Sequence, residues 1–322
     1  MPLVKAAAWL THLEHDAESP VWAHWVAFFE KHYDYLRYDE RGCGLSDRDP
    51  GALELDSWID DLERVVAASE INRPFVLLAM SQGTGAALGF AARHPEMVSH
   101  LILVGGYARG PYHRGDAKAA ELYRAIVDVF GAGFDQDNPA FIEVFTKRFL
   151  PLGDAEKIGW FNDLCRRAVD AETGARLLQA RGEMDASHLL GEVRCPTLVL
   201  HARDDGVVPL SEGRYLAQGI SGAEFRVVDS ANHILQVDEP AWDESCRAIL
   251  EFTGAGGAVG DGFDLTRREQ AVLAEICAAK SNKQIARDLK MSEKTVRNHA
   301  TRIFAKLGVS SRQEAILKVK GG

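Results

Sequence analysis

The sequence predicts an α/β protein, a mostly parallel sheet with a helical cap, followed by a small all-α domain. Three observations lead there. Short β-branched apolar runs alternate with helix-period stretches, which implies βαβ units and a parallel sheet. Strand signals then vanish between Tyr107 and Gly191, where the chain reads as helices laid over the sheet. Finally, Thr253-Gly-Ala-Gly-Gly-Ala-Val-Gly-Asp-Gly262 carries five glycines in ten residues and no apolar periodicity, which is linker composition. The expected organisation is a sheet domain over 1–253 with its cap at about 107–191, a linker over 254–262 and a helical domain over 263–322.

The strands are expected at Tyr33–Asp39, Phe75–Met80, Leu101–Val104, Thr197–Leu200 and Phe225–Val228, read as buried strands of a sheet covered on both faces. The cap carries Phe130, Phe134, Phe141, Phe145, Phe149, Trp160 and Phe161. Helical-period aromatics of this kind pack inward as core, and as a group within a lid they can also shape an apolar pocket. After the linker, Thr266 and Glu269 form a capping box ahead of an amphipathic helix that runs to about Ala279. A short helix over Asn282–Leu289 comes next. A turn then leads to a longer helix, capped by Ser292 and stopped by Gly308.

Composition narrows the function classes. The chain has 322 residues, 46% of them hydrophobic and 26% charged, with a formal net charge of -10. That charge is an average over two unlike parts. Of the 37 basic and 47 acidic residues, 13 and 7 lie in Asp261–Gly322, which is therefore +6 and leaves -16 for the remainder. No window approaches the ~18 apolar residues of a membrane span, and the start lacks the features of a secretory signal, so a cytoplasmic protein with no membrane partner is expected. Five cysteines without a CxxC pair suggest neither disulfides nor zinc. His12, His15 and Asp16 resemble metal ligands, but no further cluster completes a site, so neither metal nor cofactor is expected.

The sharpest local feature of the acidic part is Phe75-Val-Leu-Leu-Ala-Met-Ser81-Gln-Gly83, an apolar strand running into a helix rich in small residues. A serine at such a turn is held in a strained conformation with its hydroxyl exposed, and small neighbours let strand and helix approach. The usual pattern is G-x-S-x-G; Ala79 replaces the first glycine and Gly83 keeps the second. A serine hydroxyl needs a histidine to take its proton and an acid to orient that histidine. Asp205 follows at the end of one strand and His233 lies just beyond the next.

This Ser81–Asp205–His233 order, with Tyr38-Asp-Glu-Arg-Gly-Cys-Gly-Leu-Ser46 after an early strand and a helical segment before the acid, resembles the α/β-hydrolase superfamily over about Leu3–Phe252. Family spacing implies Asp205 rather than Asp204 as the acid. The resemblance also implies an oxyanion hole from the amide of Gln82 and one near Leu10 or Thr11. Two departures stand out. The early loop reads Trp9-Leu-Thr-His-Leu-Glu-His-Asp16 instead of His-Gly or a glycine run, and the chain starts almost at its first strand, without the antiparallel strands that ordinarily precede it.

In the basic part, two short helices joined by a tight turn make a helix-turn-helix, whose second helix enters the major groove of DNA. Ile285, Ala286, Leu289, Val296, Ile303 and Leu307 recur at helical spacing as its core, while Lys294, Thr295, Arg297, Asn298, His299, Thr301 and Arg302 stay polar. Leu265-Thr-x-Arg-Glu, Ser281-Asn-Lys-Gln-Ile-Ala, Ser292-x-Lys-Thr-Val-Arg-x-His and Lys306-Leu-Gly-Val-Ser resemble the LuxR/FixJ-type DNA-binding domain over Phe263–Val319. Carried over by position, the resemblance implies Lys294, Thr295, Asn298 and Arg302 at DNA, Lys283 and Lys306 at phosphate, and Arg312–Val319 in homodimer pairing. The expected function is a regulator that binds double-stranded DNA and whose hydrolase-like part senses or processes a small, largely apolar ligand. The alternatives are an active serine esterase or lactonase with an appended DNA-binding domain, and an interaction scaffold with both sites idle.

Overall fold

The computed structural model describes residues 1–8, 10–134, 136, 138, 140–255 and 265–320. The chain forms two compact units, Met1–Thr253 and Gly254–Gly322. Trp9 and all but the first two residues of the expected linker 254–262 lie outside the described residues, as do Phe263 and the last two glycines. Among the described residues, no helix is long and apolar enough to cross a membrane.

In the first unit the elements run β1 (Pro2–Lys5), α1 (Leu13–Ala17), α2 (Ala23–His32), β2 (Asp34–Leu36), α3 (Leu55–Ala68), β3 (Phe75–Met80), α4 (Thr84–Arg93) and β4 (Val98–Val104). The cap follows as α5 (Ala117–Gly133), α6 (Ala140–Phe149), α7 (Ala155–Ala168) and α8 (Ala171–Glu183). After it come β5 (Thr197–Ala202), α9 (Leu210–Gly219), β6 (Glu224–Val228) and α10 (Pro240–Thr253). The sheet order is β2-β1-β3-β4-β5-β6 with every neighbouring pair parallel. Each residue of β3 and β5 is buried, as helices on both faces of a parallel sheet demand.

Packing follows from periodicity. Helix α3 buries Trp58, Ile59, Leu62 and Val66, one stripe at helical spacing. Leu62 and Val66 join Leu77, Leu88 and Leu103 in the main core, where a fully buried aliphatic side chain contributes about 1.5–3 kcal/mol. The expected strand Tyr33–Asp39 shrinks to three residues because β2 is the sheet edge and pairs with β1 alone. β4 begins three residues before the expected Leu101, its first residues pairing with β3. The cap helices α5, α7 and α8 start at Asp116, Asp154 and Asp170, whose carboxylates accept from the amides of Ala119, Lys157 and Thr173. Each such cap stabilises its helix by about 1 kcal/mol.

The second unit comprises α11 (Arg267–Cys277), α12 (Asn282–Asp288), α13 (Glu293–Leu307) and α14 (Arg312–Lys320). Capping boxes open α11 (Thr266 with Glu269) and α12 (Ser281 with Gln284), and Gly308 ends α13 at φ 63°, a conformation that favours glycine. Val272, Leu273, Ile276, Ile285, Val296 and Ile303 form its core, with Leu289 packed at the edge.

Candidate functional site

The end of β3 delivers Ser81 at φ 49°, a left-handed conformation for a non-glycine residue, which costs about 1–3 kcal/mol and persists only where the surroundings enforce it. Those surroundings are close backbone. A Cβ on Gly83 would lie 2.9 Å from the carbonyl oxygen of Ala7 and 3.1 Å from that of Ala6, so this position admits no side chain. The methyl of Ala79, by contrast, is absorbed into the core beneath the sheet. The loop after β5 places Asp205, and the loop after β6 places His233, whose Nδ1 lies 2.6 Å from Asp205 Oδ2. Asp205 Oδ1 accepts from the amides of Val207 (2.8 Å) and Val208 (2.9 Å). Asp204 is exposed.

Electrostatics keep the acid ionised. Burial alone would raise the Asp205 carboxyl, but the neighbouring His233, the Val208 amide and His201 together hold it below the ordinary aspartate value. That is the state in which a carboxylate fixes a histidine tautomer and stabilises an imidazolium. Ser81 Oγ is buried and has no hydrogen-bond partner among the described residues, and it shares a cleft of about 440 Å³ with His233. Gln82, Leu10 and Thr11 line the same cleft, and Leu10 is itself left-handed at φ 59°.

Four supporting residues were not singled out from sequence. Gly105 (φ 55°) ends β4 directly against the histidine, and a Cβ there would sit 3.0 Å from His233 Cε1; a glycine right after an apolar strand was the available signal. Buried His201, its Nε2 2.9 Å from the Val208 carbonyl, lies behind Asp205. Arg181 of α8 and Glu40 form a fully buried ion pair, with the guanidinium 3.4 Å from the Trp58 ring centroid. Arg181 also donates to the carbonyl of Gln82 at 3.3 Å, so a cap helix braces the residue after Ser81.

The cap aromatics divide. Phe130, Phe134 and Phe145 are buried, Phe149 and Phe161 line the cleft, and Phe141 is exposed with Val144 on the face of α6 opposite buried Ile142 and Phe145. Trp160 stacks on His15 with centroids 4.6 Å apart. His12 caps α1, so the histidines of that loop are engaged in structure, and Asp16, buried beside Arg37, is pushed up to about 7 by desolvation.

On the second unit, Lys294, Thr295, Asn298 and Arg302 are exposed along α13, and Lys283 is exposed on α12. Thr295 takes part in the cap of its own helix, with its hydroxyl 2.7 Å from Ser292 Oγ. Lys306 is exposed near the C-terminal end of α13. Its ammonium lies 2.9 Å from Glu269, the acid of the α11 capping box, because the last turn of α13 packs against α11. That bond and the Thr266 donors hold the Glu269 carboxyl down to about 2.

Comparison with known proteins agrees with both units. The α/β hydrolase fold model matches residues 17–240, and the model of bacterial regulatory proteins of the luxR family matches residues 264–319. The chain is 27% identical to 2-hydroxymuconate semialdehyde hydrolase of Pseudomonas sp. (strain CF600), over 68% of this chain and 78% of that protein. It is 25% identical to 3-oxoadipate enol-lactonase 2 of Acinetobacter baylyi, over 72% and 84%. Among solved structures, an esterase from Exiguobacterium antarcticum superposes with a TM-score of 0.65 at 21% identity, covering 79% of this chain and 92% of the esterase. The chain belongs to the α/β-hydrolase fold family and carries a LuxR-family helix-turn-helix DNA-binding domain fused after it.

Proposed function

We propose that this protein is a transcriptional regulator that binds DNA as a homodimer through α13 and takes a small ligand with an apolar portion in the cleft beside Ser81. The observation that carries this reading is one chain holding both an exposed polar recognition face and a cleft with a buried serine–histidine–aspartate set. Hydrolase chemistry has no use for the DNA-binding unit, so the regulatory role is primary.

The 2.6 Å bond between Asp205 and His233 favours a second reading in which the cleft also turns its ligand over. In that reaction His233 Nε2 accepts the Ser81 proton as Oγ attacks an acyl carbonyl. The amide of Gln82, with that of Leu10 or Thr11, receives the oxyanion. The leaving group departs with the proton from His233, and water then releases the acid by the reverse proton route. The relatives named above carry hydrolase and lactonase names, which supports this chemistry without fixing a substrate.

DNA binding is tested on the full chain with duplex DNA of mixed sequence. Affinity is expected to fall steeply with salt, log K dropping by about 0.9 per log unit of salt for each neutralised phosphate. Lys283→Ala should weaken all sequences alike and lower that slope by about 1, whereas Arg302→Ala should also relax base preference. Affinity indifferent to salt would sink the assignment.

A further inference from the structure

Resting on the reading of the Ser81 cleft as a ligand site, we propose that a second space against its wall is an anion subsite and that the small molecule carries a carboxylate held by Arg148 and Arg114. This space shares Gln82 and Phe149 with the Ser81 cleft and is closed by Tyr107, Tyr123, Arg114 and Arg148. A wider opening of about 1010 Å³ adjoins it, again walled by Arg114, Tyr123 and Arg148. The two arginines therefore stand between the wider opening and the serine.

Their charges are unequally matched. Glu212, 2% exposed, is bound to Arg109 at 2.8 Å and lies 4.0 Å from Arg114 Nε. Arg114 Nε meanwhile donates to the carbonyl of Arg109 at 2.9 Å. Arg148, at the end of α6, has neither a hydrogen bond nor an ion pair among the described residues. Asp205 acts on it electrostatically, but that carboxylate is occupied by His233 and two amides. Burial, with Arg114 adding repulsion, depresses the Arg148 guanidinium below its ordinary value. A half-buried cation without a partner is costly to keep, and a ligand anion removes that cost.

The chemistry of the occupant follows. A guanidinium presents a planar fork of donors that matches a carboxylate with two parallel bonds. Arg109, Arg114 and Arg148 face the single carboxylate of Glu212, so positive charge is in excess here, and a flat carboxylate suits the small space walled by Tyr107 and Tyr123 better than a tetrahedral phosphate monoester. The wall of Phe149 and Phe161 then faces the apolar portion of the same ligand, with its reacting carbonyl at Ser81.

The test measures binding by calorimetry on the full chain, which separates it from turnover. The probes are straight-chain carboxylic acids of four to ten carbons, their primary amides and their alkyl phosphates. At neutral pH the best acid is expected to bind at least about tenfold more tightly than its amide, the range of a charge-assisted hydrogen bond. Arg148→Gln should erase that preference, acid affinity falling to about that of the amide, with an unchanged thermal melt showing that the variant is folded, and Arg148→Lys should restore part of it. Equal affinity for acid and amide overturns the anion subsite and leaves the cleft standing. Tighter binding of the alkyl phosphate overturns the choice of carboxylate. No binding of any probe overturns both the subsite and the reading of the cleft.

Discussion

Ser81→Ala is expected to lose all reaction with a fluorophosphonate, the wild-type chain giving a single adduct that maps to Ser81 by mass spectrometry. The expectation rests on the left-handed Ser81 backbone, the buried and unpaired hydroxyl, and the Asp205–His233 bond aimed at the same cleft. With an activated ester such as a p-nitrophenyl butyrate as probe, both Ser81→Ala and His233→Ala should lower kcat by at least ~10⁴-fold, since members of such a set act as a unit. Asp205→Asn should fall nearly as far, because the amide favours the wrong tautomer of His233. Equal labelling of wild type and Ser81→Ala would mean that the cleft has no nucleophile.

Breaking the buried pair of Arg181 and Glu40 is expected to destabilise the first unit strongly. Glu40 is 2% and Arg181 1% exposed, and burial pushes the Glu40 carboxyl up while Arg181 opposes it. Glu40→Gln leaves a buried guanidinium without its counter-charge, which costs about 3–5 kcal/mol. For a unit of this size the melting temperature should fall by roughly 6–20 °C. The double variant Arg181→Met, Glu40→Leu removes both charges at similar volume and should recover most of that loss, so the two substitutions are strongly non-additive. Because Arg181 also holds the Gln82 carbonyl, the stable double variant should still lose ester-hydrolysis rate through misplacement of the oxyanion donor. Thermal melts of single and double variants that simply add would contradict the pair.

What could be read from the chain alone, and what could not, has a physical explanation. The inner strands β3 and β5 were legible because a parallel sheet buried on both faces imposes continuous apolar runs, as in Phe75–Met80 and Thr197–Leu200, whereas the four-residue β1 was not among the expected strands. Ser81, Asp205 and His233 were legible by chemistry and chain order, since each ends or follows such a run. The helical unit was legible through its caps, Thr266, Ser292 and Gly308, which local rules dictate. Contacts made across long separations were not. Arg181 and Glu40 stand 141 positions apart, and nothing local to α8 distinguishes Arg181 from an exposed helical arginine. The bond of Lys306 to Glu269, 37 positions earlier, was hidden for the same reason. Arg148 is invisible as a ligand-binding candidate until α6 is seen to end beside the His233 loop, where the Phe149 carbonyl accepts the His233 amide at 2.9 Å.

If this α/β-hydrolase-fold protein is a sequence-specific DNA-binding regulator, the full chain selects its site from a random duplex library. The account predicts enrichment of one two-fold-related motif with half-sites about one helical turn apart, as a dimer presenting two copies of α13 requires. Its affinity should exceed that for mixed-sequence duplex by at least about 10³-fold, with the preference reduced in Arg302→Ala. A library left unenriched after repeated rounds at moderate salt would contradict it.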